Sequence, residues 1–165
     1  MDHNYSIRYA DICLVPFTEA YSEQYRQLRN DPDVNRCFVF HGSISKEQQK
    51  QWFREYLNKP QEIMFAILDK NGQFIGGNSI YDIGNGSAEY GRLIINKQFS
   101  GNHYGFKATC AAMEIARSIN INNLRLKVYL NNAAAIKIYK TAGFIETGFI
   151  TDQNDETMIA MERTI

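Results

Sequence analysis

Residues 89–131 read in order as a strand, a turn, a helix and a second strand, and this arrangement constrains the fold more than any other part of the chain. The helix, predicted from about residue 105 to residue 120, is marked by apolar residues at spacings of four, three and four: Ala108, Ala112, Ile115 and Ile119. The second strand is marked by alternating apolar residues: Leu124, Leu126, Val128 and Leu130. The stretch therefore predicts a βαβ unit within an α/β protein.

The segment before this unit predicts one strand and two helices. Residues 6–15 alternate imperfectly between apolar and polar side chains and are predicted to form a single strand. Thr18 is a predicted N-cap for the first helix. Ser45 is the predicted N-cap of the second helix, and Gln48 follows three residues later to complete a capping box. The loop between these helices, residues 30–44, is the predicted place for substrate contacts.

The remaining strands are predicted from turn signals. Apolar runs flank Asn71-Gly72, a type I′ hairpin signal, and residues 84–86, which predicts an antiparallel meander of three strands. A short helix is predicted to end at Gly143, and residues 144–152 and 156–164 are predicted to form a closing hairpin. The order is therefore βααβββαβαββ, an α/β (α+β) fold, and all 165 residues are predicted to form a single domain because no linker interrupts them.

The amino-acid composition of the chain limits the kinds of partner that it is expected to bind. The chain has 18 acidic and 18 basic residues, and this balance argues against a nucleic acid or an anionic membrane. Its three cysteines, Cys13, Cys37 and Cys110, lack the spacing of a zinc site or a disulfide framework, which predicts a reducing cytoplasm and no bound metal. No stretch approaches the roughly 20 apolar residues that cross a bilayer, so we expect a soluble, unexported protein.

The turn inside the βαβ unit has the composition of a phosphate site. Its glycines, Gly101 and Gly105, are predicted to take positive φ and to let the backbone approach a ligand closely. Unpaired N–H groups at the start of the following helix favour a pyrophosphate. The residues assigned to this site are Ser100, Gly101, Asn102, His103, Tyr104, Gly105 and Phe106. A simple reversal from strand to helix stays open as the alternative.

A second group of candidate residues lies in the stretch NAAAIKIYKTAGF, residues 132–144. Asn132 stands at a helix start, and Ala135 and Tyr139, four residues apart, share one face of that helix. Small side chains beside this face leave room for an extended, thin ligand, and Tyr139 can offer a phenolic proton at its inner end. The alternatives are an ordinary N-cap for Asn132 and a core aromatic for Tyr139.

The chain resembles the GNAT acetyltransferase superfamily over most of its length, through RLIIN, SGNHYG, the Ala-rich helix, LRLKVYLN and NAAAIKIYKTAGF. The last stretch follows the family pattern N-x-x-A-x-x-x-Y-x-x-x-G-F at Asn132, Ala135, Tyr139, Gly143 and Phe144. In the family the turn usually reads Arg/Gln-x-x-Gly-x-Gly/Ala and binds the pyrophosphate of acetyl-CoA. Here Ser100 and His103 replace the first and fourth residues of that pattern, and His103 can itself hydrogen-bond a phosphate.

The first half is similar to the branch that contains RimJ/RimL-type N-terminal acetyltransferases, spermidine acetyltransferases and nucleotide-aminosugar acetyltransferases. The similarity rests on LRNDPDVNR at residues 28–36 and QQKQWFREYL at residues 48–57, with AEYGRL at residues 88–93 closest in character to the aminosugar enzymes. The resemblance implies a GNAT-like mixed central sheet with a splay between the fourth and fifth predicted strands, residues 88–96 and 124–131.

The resemblance also implies acetyl-CoA as cosubstrate. The strand residues Leu93, Ile94 and Ile95 would bind it, with the N–H near Ile95 polarising the acetyl carbonyl as an oxyanion donor. Asn132, Ala135 and Tyr139 complete the predicted cofactor-binding set. Tyr139 would also protonate the departing thiolate, since a phenol is protonated at neutral pH.

Three further residues are assigned to the acceptor side. Glu89 is the candidate general base, directly or through water, with a solvated or ion-paired glutamate as the alternative. Arg29 and Asn30 are candidates for substrate contact, with a helix-terminating role before Pro32 as the alternative.

The leading hypothesis is an acetyl-CoA-dependent N-acetyltransferase that acts on a primary amine: a protein N-terminus, an aminosugar or a small molecule. A degenerate acyl-CoA-binding sensor or scaffold without turnover is the competitor, motivated by Ser100 and His103. A third reading is an unrelated nucleotide-binding α/β domain. The sequence does not identify the amine, and a neutral chain gives no acidic-pocket signal for polyamines. Family members often dimerise, so a homodimer is an open expectation.

Overall fold

The computed structural model describes residues 3–165 and places its strands in one mixed sheet in the order β1-β2-β3-β4-β5-β6-β8-β7. The strands are β1 (Ile7–Tyr9), β2 (Ile12–Pro16), β3 (Ile63–Asp69), β4 (Phe74–Gly84), β5 (Ser87–Ile95), β6 (Asn123–Tyr129), β7 (Ile145–Thr151) and β8 (Thr157–Thr164). The helices are α1 (Glu19–Arg29), α2 (Pro32–Asn35), α3 (Lys46–Leu57), α4 (Tyr104–Ser118) and α5 (Ala133–Thr141), with a 3₁₀ turn at Lys97–Phe99. The predicted mixed α/β fold is confirmed.

The first predicted strand is two strands in the structure. β1 and β2 form a tight antiparallel hairpin in which Tyr9 lies opposite Ile12, and Ala10 takes a φ of 52° at the reversal. The Lys107 ammonium lies 2.7 Å from the Asp11 carboxylate and ties this turn to α4. The prediction of a single strand over residues 6–15 is therefore wrong, and the imperfect alternation there reflects the reversal.

The three-stranded meander β3-β4-β5 is confirmed, but its type I′ turn lies elsewhere than predicted. The β3–β4 loop has three residues between Asp69 and Gln73, and only its last residue, Gly72, has positive φ. That pattern is a type I turn followed by a left-handed glycine. The type I′ turn joins β4 to β5, where Asn85 and Gly86 have φ of 50° and 72°.

Local caps define the helix starts as the sequence indicates, with one exception. Ser45 Oγ accepts a hydrogen bond from the Gln48 N–H at 3.1 Å, and Gln48 Oε1 accepts one from the Ser45 N–H at 2.8 Å. The predicted capping box of α3 is thus confirmed. Thr18 occupies the N-cap position of α1, but its side chain makes no capping hydrogen bond.

The C-terminal part also follows prediction. Gly143 takes a φ of 85°, its N–H donates to the Lys140 carbonyl, and the Phe144 N–H donates to the Tyr139 carbonyl. These two bonds form a Schellman motif that ends α5. β7 and β8 then pair as the predicted closing hairpin.

Both faces of the sheet are buried, as β3 illustrates. Ile63, Phe65 and Ile67 pack on the side of α4 and α5, whereas Met64 and Ala66 pack on the side of α1 and α3. Successive side chains of a strand point to opposite faces, so a continuous apolar run serves both layers. Within residues 3–165 no helix is long and apolar enough to pass through a membrane.

The parallel pair β5–β6 is hydrogen-bonded only at one end. Ser87 to Glu89 lie opposite Asn123 to Arg125, and pairing stops there. β5 stays paired with β4 as far as Ile95, and β6 stays paired with β8 along its whole length. The two strands therefore separate, which confirms the predicted splay.

Candidate active site

A cleft of about 620 Å³ opens where β5 and β6 separate. Its walls come from both of these strands, from α5, and from the segment that follows α1. The predicted site residues that line it are Arg29, Glu89, Leu93, Ile94, Ile95, Gly105, Asn132, Ala135 and Tyr139. The structure thus brings together residues that are up to 110 positions apart, the separation between Arg29 and Tyr139.

A β-bulge in β5 shapes one wall of the cleft. Between the pairs Ser79–Gly91 and Gly77–Ile94, β4 has one residue and β5 has two, Arg92 and Leu93. Arg92 takes a φ of 53°, which is uncommon for a residue with a side chain. A bulge bends its strand and increases its twist, so it accounts for the departure of β5 from β6.

Side-chain contacts hold Arg92 in this conformation. Its guanidinium forms an ion pair with Glu62 and lies 4.6 Å from the centre of the Tyr81 ring. The Tyr25 hydroxyl donates to the Arg92 carbonyl at 3.2 Å. A strained backbone persists where its surroundings determine it in this way.

The bulge leaves a backbone donor in the cleft. The Asn96 N–H donates to the Ile75 carbonyl of β4 at 2.8 Å. Donors of successive strand residues alternate between the two edges, so the N–H of Ile95 points away from β4, into the gap beside β6. Ile95 itself lines the cleft.

The turn before α4 presents a row of free amides. Gly101 and His103 have φ of 87° and 57°, and α4 begins at Tyr104. The first N–H bonded to this helix is that of Lys107, which donates to the His103 carbonyl. Within residues 3–165, the amides of residues 101 to 106 have no hydrogen-bond acceptor. They lie at the positive end of the α4 dipole, and one of these residues, Gly105, lines the cleft.

The structure corrects the predicted role of Gly105. It belongs to the first turn of α4 and has ordinary helical backbone, and the second left-handed residue of the turn is His103. A Cβ at position 105 would lie 2.7 Å from Cδ1 of Ile138 on α5. Gly105 therefore serves close packing between α4 and α5, and the positive φ falls on the residue that replaces the motif glycine.

α5 forms the wall opposite β5. Asn132 caps this helix by accepting a hydrogen bond from the Ala135 N–H at 3.2 Å, so its N-cap reading is confirmed. Tyr139 is buried and meets Tyr90 and Phe144 edge-on, with ring centres 6.1 and 6.0 Å away. Burial raises the pKa of Tyr139 above that of a free phenol. Within the described residues its hydroxyl has no hydrogen-bond partner.

Glu89 lies at the point where β5 and β6 stop pairing, and both of its oxygens have partners. The Tyr81 hydroxyl donates to Oε1 at 2.8 Å, and the Lys127 ammonium donates to Oε2 at 2.9 Å. Burial and the charge of Glu89 raise the pKa of Tyr81, which keeps that phenol protonated as the donor. The alternative interpretation of Glu89 as an ion-paired glutamate is therefore confirmed for the protein without substrate.

Of the two residues predicted to contact the substrate, only one lies in the cleft. Arg29 lines the cleft, but Asn30 does not, because both polar groups of its side chain bind the loop before α3. Asn30 Nδ2 donates to the Ile44 carbonyl at 2.9 Å, and its Oδ1 accepts from the Ile44 N–H at 2.8 Å. We therefore replace the predicted substrate contact of Asn30 with a role in anchoring this loop.

Residues 11–145 match the family described as Acetyltransferase (GNAT) domain. The chain belongs to the GNAT acetyltransferase family. It is 27% identical over 128 residues to N-alpha-acetyltransferase 30 of Schizosaccharomyces pombe, a match that covers 75% of this chain and 80% of that protein.

Solved GNAT structures share its fold. The spermidine N-acetyltransferase of Vibrio cholerae, in complex with CoA and spermine, superimposes with a TM-score of 0.85 at 18% identity, covering 94% of this chain and 96% of that one. RimL, a ribosomal L7/L12 alpha-N-protein acetyltransferase in complex with coenzyme A, also gives 0.85 at 18% identity and covers 98% of both chains. The predicted family and fold are confirmed.

Two groups of residues lie where the sequence did not place them: the turn before α4 and the hydrogen-bond partners of Glu89. Ser100 to Tyr104 and Phe106 do not line the cleft, although they flank Gly105, which does. Sequence reasoning missed Tyr81 and Lys127, which hold Glu89. Tyr81 lies directly opposite Glu89 on β4, a pairing that follows only once the register of β4 and β5 is known.

Proposed function

We propose that this GNAT protein is an N-acetyltransferase that uses acetyl-CoA to acetylate a primary amine in the cleft between β5 and β6. The observation that carries the proposal is that three kinds of hydrogen-bond donor occur in and next to the same cleft. Free amides precede α4 at a turn whose residue Gly105 lines the cleft, Ile95 lies along the wall, and the buried side chain of Tyr139 lines it as well. These groups match the phosphates, the carbonyl and the sulfur of a single acyl-CoA.

Cosubstrate binding would begin at the turn before α4. The amides of residues 101 to 106 would donate to the pyrophosphate, aided by the dipole of α4. Backbone donors do not depend on side-chain identity, so Ser100 and His103 leave this part of the site intact. The acyl arm would then follow β5 along Leu93, Ile94 and Ile95, facing Asn132 and Ala135 on α5.

The transfer itself needs an oxyanion donor and a proton donor. The amine nitrogen attacks the thioester carbon, and the Ile95 N–H stabilises the negative charge on the carbonyl oxygen. As the C–S bond breaks, Tyr139 donates its proton to the thiolate sulfur. The raised pKa of Tyr139 keeps the phenol protonated until that step.

Glu89 would accept the proton that the amine must lose. Its oxygens already accept hydrogen bonds from Tyr81 and Lys127, so the amine proton would reach the carboxylate through water. The Lys127 ammonium, 2.9 Å from Oε2, holds the carboxylate in place beside the cleft.

Thiol release from acetyl-CoA, measured with a panel of primary amines, tests this proposal. We expect Tyr139→Phe and Glu89→Gln each to lower kcat by about a hundredfold or more, the contribution typical of a general acid or base. Tyr21→Phe is the matched control, because Tyr21 stacks on Phe74 away from the cleft. CoA binding without turnover of any amine, and no effect of Tyr139→Phe, would instead support the acyl-CoA sensor.

Cytoplasmic location and a homodimer remain predictions. The free thiols of Cys13, Cys37 and Cys110 support a reducing compartment. Sedimentation of the purified protein would decide its oligomeric state.

A further inference from the structure

Arg29 is a buried cation that has no anionic partner among residues 3–165. The residue is only 8% exposed. One of its terminal nitrogens, Nη1, is buried and has no hydrogen-bond partner in the described part of the chain. The other, Nη2, reaches the Phe40 carbonyl at a long 3.5 Å. Leaving a buried donor of a charged group unpaired is costly, so such a group points to a missing acceptor.

This guanidinium lies between the cleft and a second chamber of about 290 Å³. The chamber, which we call the aromatic chamber, is lined by Tyr25, Arg29, Phe38, Phe40, Ile44, Gln48, Gln49, Trp52 and Arg92. Arg29, Phe38, Phe40 and Arg92 belong to both cavities, so the aromatic chamber continues the cleft on its acceptor side. The Phe38 ring covers the Arg29 guanidinium, with 3.6 Å from its carbon to the ring centre.

The charges around Arg29 are unbalanced. Among the described residues, the lining of the aromatic chamber includes two arginines and no acidic residue. Arg92 is ion-paired with Glu62, whereas no carboxylate in the described chain pairs with Arg29. The acidic residues of the adjoining cleft have cations of their own, Lys127 for Glu89 and Arg36 for Asp33. Burial and the charge of Arg92 lower the pKa of Arg29, the direction expected for a cation without a counter-ion.

The chamber is also held in shape before any ligand binds. Its outer wall, residues 36–44, is tied to α1 by the two Asn30 bonds to Ile44 and by Arg26 Nη1, which donates to the Ile44 carbonyl at 2.8 Å. Asn35 Nδ2 donates to the Gly42 carbonyl at 3.2 Å. A preorganised donor loses little entropy when its acceptor arrives.

We infer that the acceptor of this enzyme is an amine that also carries an anionic group, a carboxylate or a phosphate, and that Arg29 binds this group at the entrance of the aromatic chamber. The inference rests on the proposed function, because it assumes that the amine nitrogen lies near Glu89 and Tyr139. It also disfavours polyamines, since a polycation would meet Arg29 and Arg92 where a counter-charge is needed.

Matched amine pairs that differ only in charge test this inference. We propose to measure kcat/KM for 4-aminobutanoate against 4-aminobutan-1-ol and for 2-aminoethyl phosphate against 2-aminoethanol, with spermidine as the polycation. A charge-assisted, buried hydrogen bond predicts that the anionic member of at least one pair is preferred by about ten- to a hundredfold. Comparison of the two pairs then distinguishes a carboxylate from a phosphate.

Arg29→Met should reduce this preference to about one, because it replaces the cation with an apolar side chain of similar length. The matched control is Arg54→Met, which removes an exposed arginine of α3 that lines neither cavity and should leave the preference unchanged. Arg29→Lys, which keeps the charge and loses the planar fork, should retain part of the preference.

Thermal unfolding without acetyl-CoA gives a readout that does not depend on turnover. The anionic probe should raise the melting temperature of the wild type, and its neutral partner should not. Equal or better use of the neutral partner in both pairs overturns the inference, as does a preference that survives in folded Arg29→Met. If Arg29→Met does not fold, the test rests on the charge preference of the wild type and of Arg29→Lys and on the shift of the wild-type melting temperature with each probe. Acetylation of neutral amines alone refutes the anionic acceptor and leaves the N-acetyltransferase proposal standing.

Discussion

At the scale of single residues, two of the side chains that lie where the backbone favours glycine are next to the candidate site. Arg92 takes positive φ in the bulge of β5, and His103 takes it in the turn before α4. Arg92 is fixed by Glu62, Tyr81 and Tyr25. His103 is exposed and makes no capping hydrogen bond, so nothing comparable offsets its strain.

We therefore predict that His103→Gly stabilises the protein by about 1 kcal/mol, because glycine adopts this φ without the steric cost that a Cβ incurs. Urea unfolding would measure the change. Asn102→Gly is the control in the same turn, since Asn102 has ordinary negative φ and glycine there should gain nothing. A loss of stability in His103→Gly would show that the imidazole makes a contact of its own.

At the scale of elements, β5 depends on its close approach to β4. A Cβ added to Gly76 would overlap the carbonyl oxygen of Ile94, which is backbone and cannot rotate away. Ile94 precedes the residue whose N–H faces the cleft. The bulge and this close contact thus set the position of the proposed oxyanion donor together.

Gly76→Ala is predicted to destabilise the fold by about 2 kcal/mol or more, since the strands must move apart. It should also lower kcat, because the Ile95 amide moves with β5. Gly84→Ala is the matched control in the same strand: no atom lies within 4 Å of its added Cβ, and its stability should change by less than about 0.5 kcal/mol. Denaturant unfolding of both variants, alongside thiol release, measures this. Equal stability of the two variants would contradict the close-packing account.

At the scale of the whole molecule, β5 and β6 separate because each pairs more extensively with its other neighbour in the sheet. β4 holds β5 on one side and β8 holds β6 on the other, and each of these pairings runs further than the short β5–β6 contact. The cleft is therefore a gap within one continuous sheet, with α4 and α5 on one face and α1 and α3 on the other. A ligand that fills this gap would join the two halves.

We predict that acetyl-CoA raises the melting temperature, with a stabilisation of about 2.7 kcal/mol at a concentration one hundred times Kd. CoA should protect similarly, whereas ATP and NAD at the same concentration should protect much less. Thermal unfolding with each compound measures the difference. Protection by ATP or NAD without protection by acetyl-CoA would favour the unrelated nucleotide-binding domain.

Much of the site was predictable because its signals are local or belong to a sequence pattern. Asn132 and Tyr139 were found by their spacing on one helix, and the turn at 100–105 by its glycines. Gly105 was misread because its reason for being glycine is Ile138, 33 positions later in the chain. Asn30 was misread because a motif next to a loop suggests ligand contact, whereas its side chain binds Ile44.

By itself the sequence determined the order of elements from β3 onwards, the capping box of α3, the end of α5 at Gly143, the βαβ unit and the family. These features depend on residues three to five positions apart or on periodicity, which a linear reading contains. Only the tertiary structure decided the hairpin at Ala10, the bulge at Arg92, the partners of Glu89 and the unpaired guanidinium of Arg29. Each of these depends on which distant strand or loop lies alongside, because register and burial are set by packing between segments that no local pattern specifies.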